Sequence, residues 1–509
     1  MNASRRSLIW LGIGAMLMLF ANGRWIIPIA TWFYPVFLLR FLRLQKPFRG
    51  VIILALINGG ISAISWWKMV PVPIGIYFVI SFLFSNIMIL AFLADRLLAT
   101  KMNGFFSTLI FPLAWCSLEF LCTFSPKASW NVLAYTQDQP VLLQLASLTG
   151  IWGISFVITW FASIINWIWV EQFEWPKIKS GVVAFAGVVA IIVLYGVIRL
   201  NIGSSEQKYV RTASIVASRN INKNLSTCKW SDAKAIGVYS DDVENNLLEK
   251  TVEAARSGAK MILWQESAGF IPMTEEKTFI ERASALASSE KIYLLMTLWS
   301  VPEDFPKHLI ENKMIVIDTN GNRQLVYVKT HAAPPEPIIR GDGQIPTLQT
   351  SYGKIAPAIC FDAEFPNFIR QAGKNNVDIM FLPANDWKEI DPIHSHMAVM
   401  RAIENGFSLV HPAGQGLSVA ADNRGRIIAS MDFYTSDQQV MYADVPYRHS
   451  NTLYAKIGDA FGWMCIAGFL VVLMSVVVKS KLSQRYPDDQ AESFDVGVST
   501  HQLAVKTGK

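Results

Sequence analysis

Three residues of the 509-residue chain share one setting, a reactive side chain directly behind a short apolar, strand-like run. Glu266 follows Met261-Ile262-Leu263-Trp264-Gln265, Lys329 follows Leu325-Val326-Tyr327-Val328, and Cys360 follows Ile355-Ala356-Pro357-Ala358-Ile359. Strand ends on one edge of an α/β sheet are where residues distant in sequence converge. A cysteine becomes nucleophilic when a base takes its proton, and a buried carboxylate can be that base. A lysine ammonium can stabilise both the thiolate and the oxyanion formed when a carbonyl is attacked. Together, Glu266, Lys329 and Cys360 would make an acyl-transfer centre working through a thioester. The same spacing also fits a buried structural cysteine with two surface charges.

Other reactive residues are less organised. His394 and His396 form an H-x-H pair, but no third ligand stands at zinc-like spacing. His331 or His411 could pair with Cys360 in a papain-like dyad. Glu119 lies late in an apolar segment, where an acid is costly unless it is functional or reaches the interface. Trp66, Trp67, Trp130, Trp152, Trp167 and Trp169 fit interfacial anchoring or a lipid site. The cysteines are Cys116, Cys122, Cys228, Cys360 and Cys465, three of them in apolar runs, which gives no disulfide framework. Cys228, in a Thr-Cys-Lys-Trp context, has no catalytic surroundings. Glycine-rich phosphate loops and basic nucleic-acid stripes are not apparent, and neither a cofactor nor a metal is expected.

The elements that must position these residues divide into two chemistries. The chain is 52% apolar and only 17% charged, where globular domains carry about 25% charged residues. That excludes a disordered chain or a coiled coil. Apolar runs at Ser7–Phe20, Ile26–Leu39, Val51–Trp67, Pro73–Ala94, Phe105–Cys122, Gly150–Val170, Gly181–Ile198 and Ala460–Val478 are expected to be membrane segments. The first two are short and fit a paired, re-entrant unit or an unusual tilt. The first run is expected to stay uncleaved, because no small-residue cleavage site follows it. Basic residues cluster on one side: Arg5, Arg6, Arg40, Arg43, Lys46, Arg49, Arg96, Lys101, Lys177, Lys179, Lys479, Lys481 and Arg485. The short opposite loops hold Arg24, Lys68 and Lys127, so both termini are expected in the cytoplasm and the polar region outside.

Within the polar region, strand-like and helix-like patterns alternate, which argues for an α/β sandwich. Strands are expected near Val210–Ala217, Met261–Trp264, Lys291–Leu298, Met314–Asp318, Gln324–Val328, Ile355–Ile359, Ile379–Leu382, Ser408–His411 and Ile427–Met431. Helices are expected near Asp241–Ser257, Glu275–Ser289, Phe365–Lys374 and Ser395–Asn405, and Asn320-Gly321 marks a hairpin. The organisation expected is a seven-helix bundle (1–204), a polar domain (205–455), a last membrane helix (456–480) and a disordered cytoplasmic tail (481–509).

Cys360-Phe361-Asp362-Ala363-Glu364-Phe365-Pro366, Asp386-Trp387, His396 and Arg401-Ala402-Ile403-Glu404-Asn405 resemble the nitrilase/carbon–nitrogen hydrolase pattern. The resemblance implies an αββα sandwich with a Glu-Lys-Cys triad, carried here by Glu266 as base, Lys329 as oxyanion stabiliser and Cys360 as nucleophile. A nitrilase-like domain between seven membrane helices and an eighth resembles the apolipoprotein N-acyltransferases, and Trp115–Phe120 and Asn131–Gln137 look like their membrane part. Two features depart from that family. The additional glutamate arrives one residue early, at Glu336 without a Phe-Gly before it, and Phe361-Asp362 replaces the usual Tyr-Glu after the nucleophile. Glu336 and Asp362 are therefore expected to support the centre.

The function implied is transfer of a fatty acyl chain from a membrane phospholipid, phosphatidylethanolamine being the expected donor. The acceptor would be the N-terminal amine of a diacylglyceryl-cysteine lipoprotein. The alternative is a membrane-anchored amidase. A monomer in the bacterial inner membrane is expected, with the catalytic domain in the periplasm and no nucleic-acid partner.

Overall fold

The computed structural model describes residues 3–102, 104–201, 208–217, 233–334 and 336–485. Cys228 and most of the tail from 481 lie outside them. Among the described residues, six helices are long and apolar enough to cross a membrane: Pro47–Ser65, Ile74–Lys101, Phe105–Cys122, Ile151–Val170, Trp175–Asn201 and Ala460–Lys479. The first two expected segments form shorter helices of 16 residues each, Ala3–Met18 and Pro28–Arg43, which pack as a pair. The bundle is thus six full spans plus this short pair. Most of Pro28–Arg43 is buried. Arg43 anchors it to helix Ile74–Lys101 through a bidentate pair with Asp95, at 2.7 and 2.9 Å.

The polar part is a sandwich of two sheets. The first has strands β1 (Tyr209–Ile215), β2 (Met261–Trp264), β3 (Gly269–Pro272), β4 (Tyr293–Val301), β5 (Glu311–Ile317) and β6 (Arg323–Val328), with a late strand, Val440–Pro446, beside β1. The second sheet is built from β7 (Leu348–Thr350), β8 (Gly353–Pro357), β9 (Ile379–Phe381), β11 (Ser408–His411), β13 (Leu417–Ala421) and β14 (Ile427–Asp432). A two-strand bridge, β10 (Ala384–Asn385) with β12 (Ala413–Gly414), joins the loops at one end. The late strand completes the count as β15.

Side-chain alternation decides which face of each strand is covered. On β2, Met261 and Leu263 point between the sheets, where they join Leu295, Met314 and Val316. Their neighbours Ile262 and Trp264 face outward with Leu294, Met296, Ile315 and Ile317. Leu247 from helix Ala233–Arg256 and Phe279 and Ala283 from helix Glu276–Glu290 cover that outer face. Helices Pro366–Lys374 and Ile393–Asn405 cover the second sheet. The β5–β6 hairpin turns at Asn320-Gly321: Gly321 has φ +81°, and the Asp318 carboxylate accepts the Asn320 and Asn322 amides.

The sandwich is locked to the bundle by polar contacts buried from water. The backbone amide of Ile151, at the start of a membrane helix, donates to Glu404 at 2.9 Å. Arg401 pairs with Glu404 at 3.0 Å and donates to the Tyr135 hydroxyl at 2.7 Å. Ser129 donates to the Glu364 carbonyl, and Trp152 donates to Asp459 at 2.8 Å. Gly150 stands at φ +66° where a Cβ would meet the Tyr454 ring at 2.6 Å, so this crossing requires glycine.

Candidate active site

Glu266 follows β2, Lys329 follows β6, and Cys360 follows β8, so the three come from both sheets to one end of the sandwich. Lys329 Nζ lies 2.7 Å from Glu266 Oε1 and 2.8 Å from Glu336 Oε2, with the Glu266 carboxylate and the ammonium buried and Glu336 partly so. Asn312 Nδ2 donates to Glu266 Oε1 at 2.8 Å and to Glu336 Oε1 at 3.1 Å, tying the two acids together. The second oxygen of Glu266 accepts the Asn385 amide at 2.9 Å. Glu336 is held from its own loop by the Ala333 amide at 2.9 Å.

Cys360 adopts φ +47°, a conformation that costs a non-glycine residue free energy and persists only where its surroundings enforce it. Two bonds enforce it here. The Cys360 amide donates to the Pro383 carbonyl at 2.8 Å, and the Asp362 carboxylate accepts the Ile359 amide at 3.0 Å. Asp362 is fully buried and also accepts the Tyr327 hydroxyl at 2.6 Å and the His331 amide at 2.9 Å. The phenol missing at Phe361 is thus matched by one reaching in from β6. The His331 ring, bonded to Asp362 at 2.9 Å, stacks on Phe365, which sets it among the supports of the turn.

The electrostatics set a defined resting state. Burial and then Glu266 push the Cys360 thiol well above its usual range, while Lys329 draws it down. Burial works against the Lys329 charge, but Glu266, Cys360 and Glu336 outweigh it and hold the ammonium above the usual lysine range. Burial raises Glu336, against the pull of Lys329. The resting centre is therefore a neutral thiol beside a charged lysine, and the thiol must give up its proton to react.

Cys360, Asp386 and His394 bring donor atoms within 4.8 Å of one another. Their chemistry does not suit a metal. Asp386 occupies His394 Nδ1 at 2.7 Å, and Glu364 lies 3.5 Å from Nε2. Burial disfavours the imidazolium, but the Asp386 and Glu364 charges raise it to about 9, leaving no lone pair for a metal near neutral pH. His411 sits behind that ring, pushed down to about 4 by burial and by His394. It bonds a backbone carbonyl. His396 is on the same helix as His394.

A mostly apolar cavity of about 200 Å³ opens onto the thiol. Trp66, Met69, Val72 and Phe84 from the membrane part wall it, together with Trp130, and Phe361, Trp387 and Ile390 complete it. Trp387 Nε1 donates to the Lys68 carbonyl at 3.0 Å, closing one side. Trp66 and Trp130 are therefore cavity walls, and Trp152 is buried against Asp459. Glu119 is also buried, with one oxygen on the Leu133 amide at 2.9 Å. Asn312, Asn385 and Tyr327 are site residues that the sequence did not single out.

Comparison with known proteins gives two matches along the chain. Residues 216–450 match the model of the carbon-nitrogen hydrolase family, and residues 14–164 match that of the apolipoprotein N-acyltransferase N-terminal domain. In both parts this chain is similar to the apolipoprotein N-acyltransferases. An apolipoprotein N-acyltransferase of Rickettsia typhi is 24% identical, the match covering 72% of this chain and 75% of that protein. One from Geobacter metallireducens is 26% identical, covering 71% and 73%. A solved amidase from Nesterenkonia sp. is similar at 17% identity over 50% of this chain and 95% of its own, with a TM-score of 0.41.

Proposed function

We propose that this protein moves a fatty acyl chain from a glycerophospholipid, through a thioester on Cys360, to the N-terminal amine of a diacylglyceryl-cysteine lipoprotein. The observation that carries this reading is the position of Cys360. It stands where a buried Glu266–Lys329 pair meets an apolar cavity walled by Ile80 and Phe84 of a membrane helix and by the loops between the membrane helices. An acyl chain can enter such a cavity from the bilayer, whereas a small amide substrate has no use for it.

The steps follow from the resting state. Glu266 takes the thiol proton as Cys360 Sγ attacks the ester carbonyl, and Lys329 neutralises the oxyanion. Collapse breaks the C–O bond, and the leaving lysophospholipid oxygen takes the proton back from Glu266. The lipoprotein amine then attacks the thioester, Glu336 accepts the amine's proton, and as the C–S bond breaks that proton returns to the leaving Cys360 sulfur. Phosphatidylethanolamine is the expected donor. The test is intact-mass detection of the thioester after mixing the full-length protein with phosphatidylethanolamine vesicles, followed by addition of a diacylated lipopeptide. Release of free fatty acid with no lipopeptide product would favour the amidase-like alternative.

Glu336 is bonded to Lys329, yet it belongs to a different loop from Glu266, next to the cavity-lining Ala333 and Pro334. Glu336→Gln is expected to slow transfer to the lipopeptide by about 10²-fold while slowing thioester formation much less, because loss of one proton acceptor has that size. Single-turnover kinetics of each half-reaction checks it. A block of acylation alone would show the division of labour to be wrong.

The basic-residue bias supports a periplasmic catalytic domain. A cysteine at the exposed position Lys307 is expected to react with a membrane-impermeant maleimide on intact spheroplasts. Labelling only after lysis would place the domain on the cytoplasmic side.

A further inference from the structure

Of the three basic residues in the short loops opposite the basic cluster, Lys127 is the one that lines the cavity at Cys360, while Arg24 lines a separate one with Trp67 and Phe82. Arg24 lies over the Trp25 ring and reaches the Trp67 carbonyl, out of the active-site cavity. Lys127 lines the apolar cavity together with Cys360 and His394. It also lines a second cavity, deeper in the bundle, with Tyr34, Asn58 and Glu119. Trp66, Phe84 and Asn131 are shared by both, so Lys127 stands at their junction. Among the described residues its ammonium has no hydrogen-bond or ion-pair partner, and Glu119 acts on it only from beyond ion-pair distance.

An ammonium placed against an apolar wall with no anion in ion-pair contact is unfavourable, and a ligand anion would relieve that cost. Burial pushes the Lys127 ammonium below the usual lysine range, and Cys122 and Glu119 offset this only in part. In a glycerophospholipid the phosphodiester stands a few bonds from the ester that Cys360 must attack. The lipoprotein acceptor carries no anion at the corresponding place, since its reacting end is an amine beside a diacylglyceryl thioether. We infer that Lys127 holds the phosphodiester of the acyl donor and so sets the ester over Cys360. The inference rests on the acyl-transfer reading above. It makes the headgroup phosphate, rather than the acyl chain alone, a determinant of which lipids are donors.

The test compares two donors on the full-length protein in mixed micelles, phosphatidylethanolamine and the uncharged p-nitrophenyl palmitate, by single-turnover acylation read as intact mass. Lys127→Met is expected to lower the ratio of the phospholipid rate to the p-nitrophenyl ester rate by about 10- to 100-fold, the size of one lost charge-assisted bond. The loss should appear as a higher half-saturating phospholipid concentration. Lys127→Arg, which keeps the charge, is expected to restore most of the ratio. An unchanged ratio in Lys127→Met, or an equal loss with both donors, overturns the inference while leaving the acyl-transfer reading intact. If the wild-type protein takes an acyl group from neither ester, both fall together.

Discussion

Replacing Cys360 with serine is expected to remove the acyl-enzyme, slowing single-turnover acylation by about 10⁴–10⁶-fold, the range seen when a nucleophile is lost. The substitution is nearly isosteric, so the φ +47° turn and its bonds to Pro383 and Asp362 should survive. What changes is acidity. Burial and Glu266 already hold the thiol protonated at rest, and a hydroxyl in the same place would be far harder to ionise. Intact-mass spectra after mixing with phospholipid vesicles should show the adduct in the wild type and none in Cys360→Ser. A thioester of undiminished yield in that variant would move the nucleophile elsewhere. Cys228→Ala, a thiol change outside the described residues, is the matched control and should keep the adduct.

Glu266→Gln is expected to slow thioester formation by about 10²–10⁴-fold, the usual worth of a general base. The amide can keep a bond from Asn312 to its carbonyl oxygen, but it cannot take the thiol proton. It also strips Lys329 of one of its two carboxylate partners, leaving Glu336 as the remaining counter-charge. A rate-versus-pH profile separates the two effects. If Glu266 is the base, the variant's rate should rise with pH as solvent takes over the thiol proton, and lie closer to wild type at high pH. A uniform loss at all pH values would assign Glu266 to positioning Lys329 instead.

The centre was legible because each of Glu266, Lys329 and Cys360 ends an apolar run, and an apolar run that stops at a reactive residue marks a strand's end. Asn312 was not legible for the converse reason. It stands inside β5 within Glu311-Asn312-Lys313, a polar triplet that reads as loop, and the strand was expected to begin only at Met314. Hairpin register could have found it: Lys313 pairs with Val328, which puts Asn312 opposite Lys329. The bulge between Val316 and Ile317 defeats a simple count back from the Asn320-Gly321 turn. Pairing across the sandwich was equally hidden, because β15 joins β1 from 231 residues away at Thr212 and Ala443, and no local pattern encodes such a distance. In the membrane part, hydropathy located the long helices. The shortness of the first two runs fitted a pair, which Ala3–Met18 and Pro28–Arg43 form, but hydropathy could not show the Arg43–Asp95 pair that anchors it.

The β1–β15 pairing bears on how the protein is made. Val440–Pro446 is the last strand to leave the ribosome and lies between β1 and the final apolar helix, which begins at Ala460. Until that stretch emerges, β1 offers a bare sheet edge, and bare edges invite strands from other chains. Asp459, which must meet Trp152 of a helix made long before, arrives later still. Synthesis therefore leaves an unfinished sandwich, and the closing stretch from β15 to the last helix finishes the sheet and fastens the bundle together. A ribosome stalled before residue 440 should leave a protease-sensitive domain, and one released after residue 480 a resistant one.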